Sequence, residues 1–140
     1  MADRSTERCG AVRDWMTKQP ATVAPDSSIG AALARMRRAE VRHLLVMDAD
    51  RLVGIVSHRD WRRTEAGETP GGWEGQPVAR IMTEDPVTVA PETPVTEAAR
   101  VLLERKIGCL PVRDGEAIVG IFTTSDALEA LLAMLEPARA

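Results

Sequence analysis

Two short clusters hold the side chains best suited to chemistry: Ser57-His58-Arg59-Asp60 and Thr123-Thr124-Ser125-Asp126. Each follows a glycine and two apolar residues, Gly54-Ile55-Val56 in one case and Gly120-Ile121-Phe122 in the other. The glycine reads as the end of a strand that turns into a helix. A hydroxyl followed three residues later by a carboxylate suits a helix start, where both groups can satisfy orphan amides. The same groups suit a ligand. A carboxylate can accept from both hydroxyls of a ribose, and first-turn amides favour a phosphate. Aspartate is a poorer reciprocal cap partner than Glu or Gln, so the spacing leaves cap and half-site both open.

Other chemistry is thinly supplied. His43 and His58 are the two histidines, and Cys9 and Cys109 lie far apart with no C-x-x-C or Cys/His cluster. A structural zinc site is not expected, and Cys109 reads as a reduced thiol in the core. There is no Gly-rich P-loop, no G-x-S-x-G and no Ser/His/Asp constellation. His58 and Asp60, two positions apart at a helix start, do not face each other. The expectation is that the chain is not an enzyme.

The clusters must be held by an aliphatic scaffold, because aromatics make up 3% of the 140 residues. A net charge of −3 and the lack of stacking side chains argue against nucleic acid as a partner. No apolar run has the ~20 residues of a membrane span, nor has Met1–Arg8 the apolar centre of a secretory signal. The expected location is cytoplasmic.

The chain is written twice. At a constant offset, Met16-Thr17 matches Met82-Thr83, Thr22-Val23-Ala24-Pro25 matches Thr88-Val89-Ala90-Pro91, and Val53-Gly54-Ile55 matches Val119-Gly120-Ile121. Agreement without a gap from residues 12–63 to 78–129 is an internal duplication. Within each copy, Ile29, Ala32, Leu33, Met36 and Ala39, then Val95, Ala98, Ala99, Leu102 and Leu103, recur at helical spacing. Thr93-Pro94 reads as an N-cap with proline at the first helical position. Two apolar runs follow each helix, split by Asp48-Ala49-Asp50 or Asp114-Gly115-Glu116, which predicts hairpins. A second helix follows each Ser/Thr-x-x-Asp, the later one running to Pro137. The divisions expected are an extension over 1–11, a first motif over 12–66, a linker over 67–77 and a second motif over 78–136. Trp73 in the linker is expected to pack on a neighbour.

The ordered set Met-Thr, Thr-Val-Ala-Pro, apolar helix, Leu-x-Val-x-Asp and Val-Gly-Ile-x-Ser/Thr-x-x-Asp, repeated at one spacing, resembles a tandem of cystathionine-beta-synthase (CBS) domains. The resemblance covers residue 12 to about 130. It implies an α+β fold of two β-α-β-β-α motifs about a pseudo-twofold axis, and a non-catalytic regulatory module that binds an adenosine nucleotide of the AMP, ADP or ATP class. S-adenosylmethionine or NAD is the alternative adenosyl ligand. No cofactor is implied, although Mg could accompany a polyphosphate. By position, the resemblance implies one cleft from Ser27, Ala32, Val41, Arg42 and His43 with Ile121, Thr123 and Asp126. It implies a second from Thr93, Ala98, Ile107 and Gly108 with Ile55, Ser57, His58, Arg59 and Asp60. The aspartate would take the ribose and the Ser/Thr would lie near phosphate. Leu45 departs from the family's Leu-Pro-Val, which the second copy keeps as Leu110-Pro111-Val112.

Partners implied are the nucleotide, a regulated protein of unknown identity and a second copy in a disc-like homodimer. Residues 12–63 carry ten Lys/Arg against six Asp/Glu, whereas 78–129 carry five against nine. Opposite charges favour a head-to-tail dimer. Arg35, Arg37 and Arg38 read as a solvated helix face, and Met16 and Met82 as packing residues. A ligand-free scaffold, in which the clusters are only caps, is the alternative function.

Overall fold

The computed structural model describes residues 10–67 and 74–136. The extension up to Cys9, and Trp73, lie outside the described residues. Along the chain run β1 (Thr17–Lys18), β2 (Thr22–Val23), α1 (Ile29–Ala39), β3 (His43–Asp48), β4 (Arg51–Ser57) and α2 (His58–Gly67). They are followed by β5 (Thr83–Glu84), α3 (Val95–Arg105), β6 (Cys109–Asp114), β7 (Ala117–Thr123) and α4 (Thr124–Leu135). The fold is α+β and carries the repeat twice. Among the described residues no helix is long and apolar enough to cross a membrane.

The chain forms two compact units whose boundaries are not those of the repeat. Unit I is Pro20–Pro86; unit II combines Met1–Gln19 with Val87–Ala140. Each unit thus takes one copy's helices and hairpin together with the leader of the other copy. In unit I the sheet order is β2-β3-β4-β5, and β5 pairs antiparallel with β4. In unit II β1 pairs antiparallel with β7, giving the order β1-β7-β6. The leaders also bring core residues: Val78 is fully buried with Ala32, Met36, Leu44, Val46 and Val56. Val12 is fully buried with Val95, Leu102, Leu110, Val112 and Phe122.

Gly54 and Gly120 do not end their strands. Each lies inside β4 or β7, buried, opposite Val46 or Val112. The reason is the edge strand: a Cβ on Gly120 would stand 2.6 Å from the Thr17 carbonyl oxygen and 3.0 Å from Met16 Sδ. On Gly54 it would meet Met82 Sδ at 2.6 Å and the Thr83 carbonyl oxygen at 2.9 Å. Met16 and Met82 are packing residues, half-buried against the unit cores.

Helix amphipathicity is narrower than the spacing predicts. Ile29, Ala32, Leu33 and Met36 are buried, whereas Ala39 at the last turn is exposed. Val95, Ala98 and Leu102 are buried, but Leu103 is 79% exposed because it lies off the buried stripe. Arg35, Arg37 and Arg38 are solvated as expected, with Arg35 Nε donating to the Thr22 carbonyl at 2.8 Å. The cap of α3 also differs. Pro94 is the N-cap residue and Val95 the first helical one, while Thr93 Oγ1 accepts from the Ala90 amide at 3.0 Å. Thr93 therefore closes the preceding turn instead of capping the helix.

One substitution between the copies has a visible backbone effect. The Leu45 amide donates to the Ala21 carbonyl at 3.1 Å, and β2 runs parallel to β3. Pro111 has no amide to give, and the matching contact shrinks to an isolated bridge between Val89 and Val112.

Candidate functional site

Both Ser/Thr-x-x-Asp clusters fold into closed, reciprocal caps. In unit I the Ser57 amide donates to Asp60 Oδ2 at 2.8 Å, the Asp60 amide returns a bond to Ser57 Oγ at 3.2 Å, and Ser57 Oγ donates to Asp60 Oδ2 at 2.9 Å. In unit II the Thr123 amide donates to Asp126 Oδ2 at 2.9 Å, and the Asp126 amide to Thr123 Oγ1 at 3.2 Å. Aspartate serves as the reciprocal partner after all. Its shorter side chain reaches the cap amide because the cap residue is still in extended backbone, as Thr123 is (φ −112°, ψ 170°). Asp126 is the one buried charged residue among the described residues.

A second set of bonds fixes where each cap sits. The His58 amide donates to the Arg42 carbonyl at 2.9 Å, and the Thr124 amide to the Gly108 carbonyl at 3.1 Å. Arg42 and Gly108 are placed by the helix before them. The preceding helices α1 and α3 end in left-handed Glu40 (φ 56°) and Lys106 (φ 55°), and the Val41 and Ile107 amides then reach back to the Met36 and Leu102 carbonyls. Such a C-cap turns the chain directly into the next strand.

Within each unit these bonds bring the strand after the first helix to the cap. Unit I brings Val41, Arg42 and His43 together with Ile55, Ser57, His58, Arg59 and Asp60. Unit II brings Ile107 and Gly108 together with Ile121, Thr123 and Asp126. Ala32 and Ala98 are buried in the respective cores. The α1 start is heavily used from within: Ile29 and Gly30 amides donate to the Gln76 and Glu74 carbonyls, the Ala31 amide to Ser28 Oγ, and the Ser27 carbonyl accepts from Val78. The Ile29 and Gly30 amides are thus spent on the end of the linker. Among the described residues the linker's hydrogen bonds to the α1 start come from backbone carbonyls, which carry no residue-type signal.

The register assigns each cap hydroxyl a different neighbour. Ser57 stands opposite His43, and Thr123 opposite Cys109. Burial lowers the His43 pKa from 6.5, opposed by Asp60 and reinforced by Arg59 and Arg42. His58 is exposed and lies edge-on to the Trp61 ring, 5.0 Å between centroids. Burial, followed by the Asp126 charge, pushes the Cys109 thiol up to about 12. Native Cys109 should therefore resist iodoacetamide at about pH 8 and react once the chain is unfolded, because the thiolate is the nucleophile. With its folded pKa above the unfolded value, Cys109 contributes stability below the ordinary thiol pKa that is lost as pH rises towards 12. Peptide mass mapping would check the labelling. Rapid native labelling at Cys109 would contradict its burial.

Among the described residues no group of three His, Cys, Asp or Glu could hold a metal ion. The arrangement offers two carboxylates set at helix starts, with an aliphatic strand end beside each. It can accept vicinal hydroxyls.

The CBS domain family model matches residues 12–67 and 78–133. A CBS domain-containing protein of Dictyostelium discoideum is 33% identical over 136 residues, covering 90% of this chain and 94% of its own length. Among solved structures, CBSX2 in complex with AMP superposes with a TM-score of 0.76 at 32% identity, covering 90% of this chain and 98% of that one. The CBS domain pair of protein MJ0100, in complex with 5′-methylthioadenosine and S-adenosyl-L-methionine, gives 0.78 at 27% identity, with 86% and 94% covered.

Proposed function

We propose, for a chain that belongs to the CBS domain family through both of its halves, a non-catalytic regulatory module that binds adenosine nucleotides at its two aspartate caps. The observation that carries the reading is the repeated geometry of Ser57/Asp60 and Thr123/Asp126. The cap uses Oδ2, and a carboxylate has acceptor capacity for further donors. The AMP, methylthioadenosine and S-adenosylmethionine complexes of the similar structures support the adenosine class. Val41, Ile55, Ile107 and Ile121 supply aliphatic surface for a purine, and Mg would accompany a polyphosphate. Occupancy would act by population shift, favouring whichever geometry binds better, and by no more than that difference.

A homodimer is part of this reading. Leu103, Leu128, Leu131, Leu132 and Leu135 are exposed on α3 and α4 of unit II. Exposed apolar area of this kind marks an interaction surface. These leucines favour copy-two faces meeting, against the head-to-tail order that charge alone favours. The module's place would be the cytoplasm, which supplies nucleotides and keeps Cys109 reduced.

A second reading, a ligand-free scaffold, draws on the fact that both caps close without a ligand. Thermal denaturation separates the two. A nucleotide at a hundredfold its dissociation constant should stabilise by ~2.7 kcal/mol, a shift of several degrees. No shift with AMP, ADP, ATP, NAD or S-adenosylmethionine would leave the scaffold.

A further inference from the structure

The helix starts beside the two aspartates have little left to offer an anion. In α2, the Ser57 and Asp60 amides are used in the cap and the His58 amide is held by the Arg42 carbonyl. In α4, the Thr123, Asp126 and Thr124 amides are used in the same way. A phosphate chain at either place must therefore be held mainly by side-chain cations.

Here the two units part. Around Asp60 stand exposed Arg42 and Arg59, with half-buried His43 directly across the strand pair from Ser57. The matching positions around Asp126 are Gly108, Ser125 and Cys109, the last across from Thr123. None of these carries positive charge, and a thiol titrating at about 12 carries no charge at neutral pH.

We propose that the Asp60 site is selective for adenosine ligands bearing a phosphate chain, with His43, Arg42 and Arg59 as specificity-determining residues. The Asp126 site accepts the adenosyl group with no requirement for phosphate. This rests on reading the two caps as ligand sites.

His43 adds a proton dependence. The charged groups acting on it are Asp60 and Arg59 from α2 and Arg42 from the approach to its own strand; its cross-strand partner, Ser57, is uncharged. Burial keeps the imidazole neutral near pH 7, since its pKa lies below 6.5. A phosphate beside it favours the imidazolium, so binding takes up a proton and tightens as pH falls.

The test is calorimetric titration of the nucleotide-free full chain with adenosine and with ATP, in two buffers of different ionisation enthalpy. At the Asp60 site ATP should bind at least about tenfold more tightly than adenosine, with the gap widening from about pH 7.5 to about pH 5.5. Asp60→Ala should abolish the ATP preference. Arg59→Ala, at an exposed position, should reduce it severalfold, and His43→Gln should remove the buffer-dependent proton uptake. The proposal is overturned if ATP and adenosine bind alike, if the preference survives Asp60→Ala, or if proton uptake survives His43→Gln. Failure of every adenosine compound to bind would instead overturn the reading of the caps as ligand sites.

Discussion

Alanine at Gly120 should cost the protein about 2–3 kcal/mol of stability, the upper part of the range for forcing a methyl into a packed interior. The new Cβ would lie 2.6 Å from the Thr17 carbonyl oxygen. That oxygen is backbone, so no side-chain rotation relieves the clash. Strand β1 must lift from β7, and the pairings Thr17 with Ile121 and Lys18 with Gly120 go with it. Gly54→Ala should be milder, because its nearest atom is the Sδ of Met82, which can swing, before the Thr83 carbonyl at 2.9 Å. Urea denaturation followed by circular dichroism would read both as shifts in midpoint at similar slope. A Gly120→Ala protein as stable as the parent would mean that β1 is not held against β7 as described.

Asp126→Ala should have two separable effects. The cap loses its reciprocal bond and exposes the Thr123 amide to an unpaired state, which costs about 1–2 kcal/mol. If the site holds a ribose, the loss of a charged acceptor should also weaken binding about tenfold to a hundredfold. Asp126→Asn distinguishes them. Its side-chain oxygen can still accept from the Thr123 amide, so most of the stability should return while the affinity should not. Paired denaturation and calorimetry would show this. Affinity that recovers with the cap would reduce Asp126 to a structural residue.

The duplication, the two helices and two-stranded hairpin of each copy, and the burial of Cys109 were legible from residue types alone. Periodicity reports which face is apolar, and the Asp-Ala-Asp and Asp-Gly-Glu segments mark the hairpins. The glycines were legible as special but not as to why. What Gly120 accommodates is a strand about a hundred residues away in sequence, and no local pattern encodes that approach. The same holds for the α1 start, where the Ile29 and Gly30 amides meet the carbonyls of Gln76 and Glu74. Thr93 is ambiguous in sequence because Thr-Pro fits a cap and its first turn as well as a turn followed by a cap. Only the bond to Ala90 decides. Leu103 fits an apolar stripe by spacing, yet it lies on the exposed side.

The exchange of leaders between the copies also has an ancestral consequence. A lone repeat would fold with its glycine groove empty, since the segment that fills it belongs to another copy. Two such lone repeats could complete one another by lending their leaders mutually, as a swapped pair of separate chains. Fusing two genes would then have made an existing partnership permanent, and later drift could make one half basic and the other acidic without disturbing the fold.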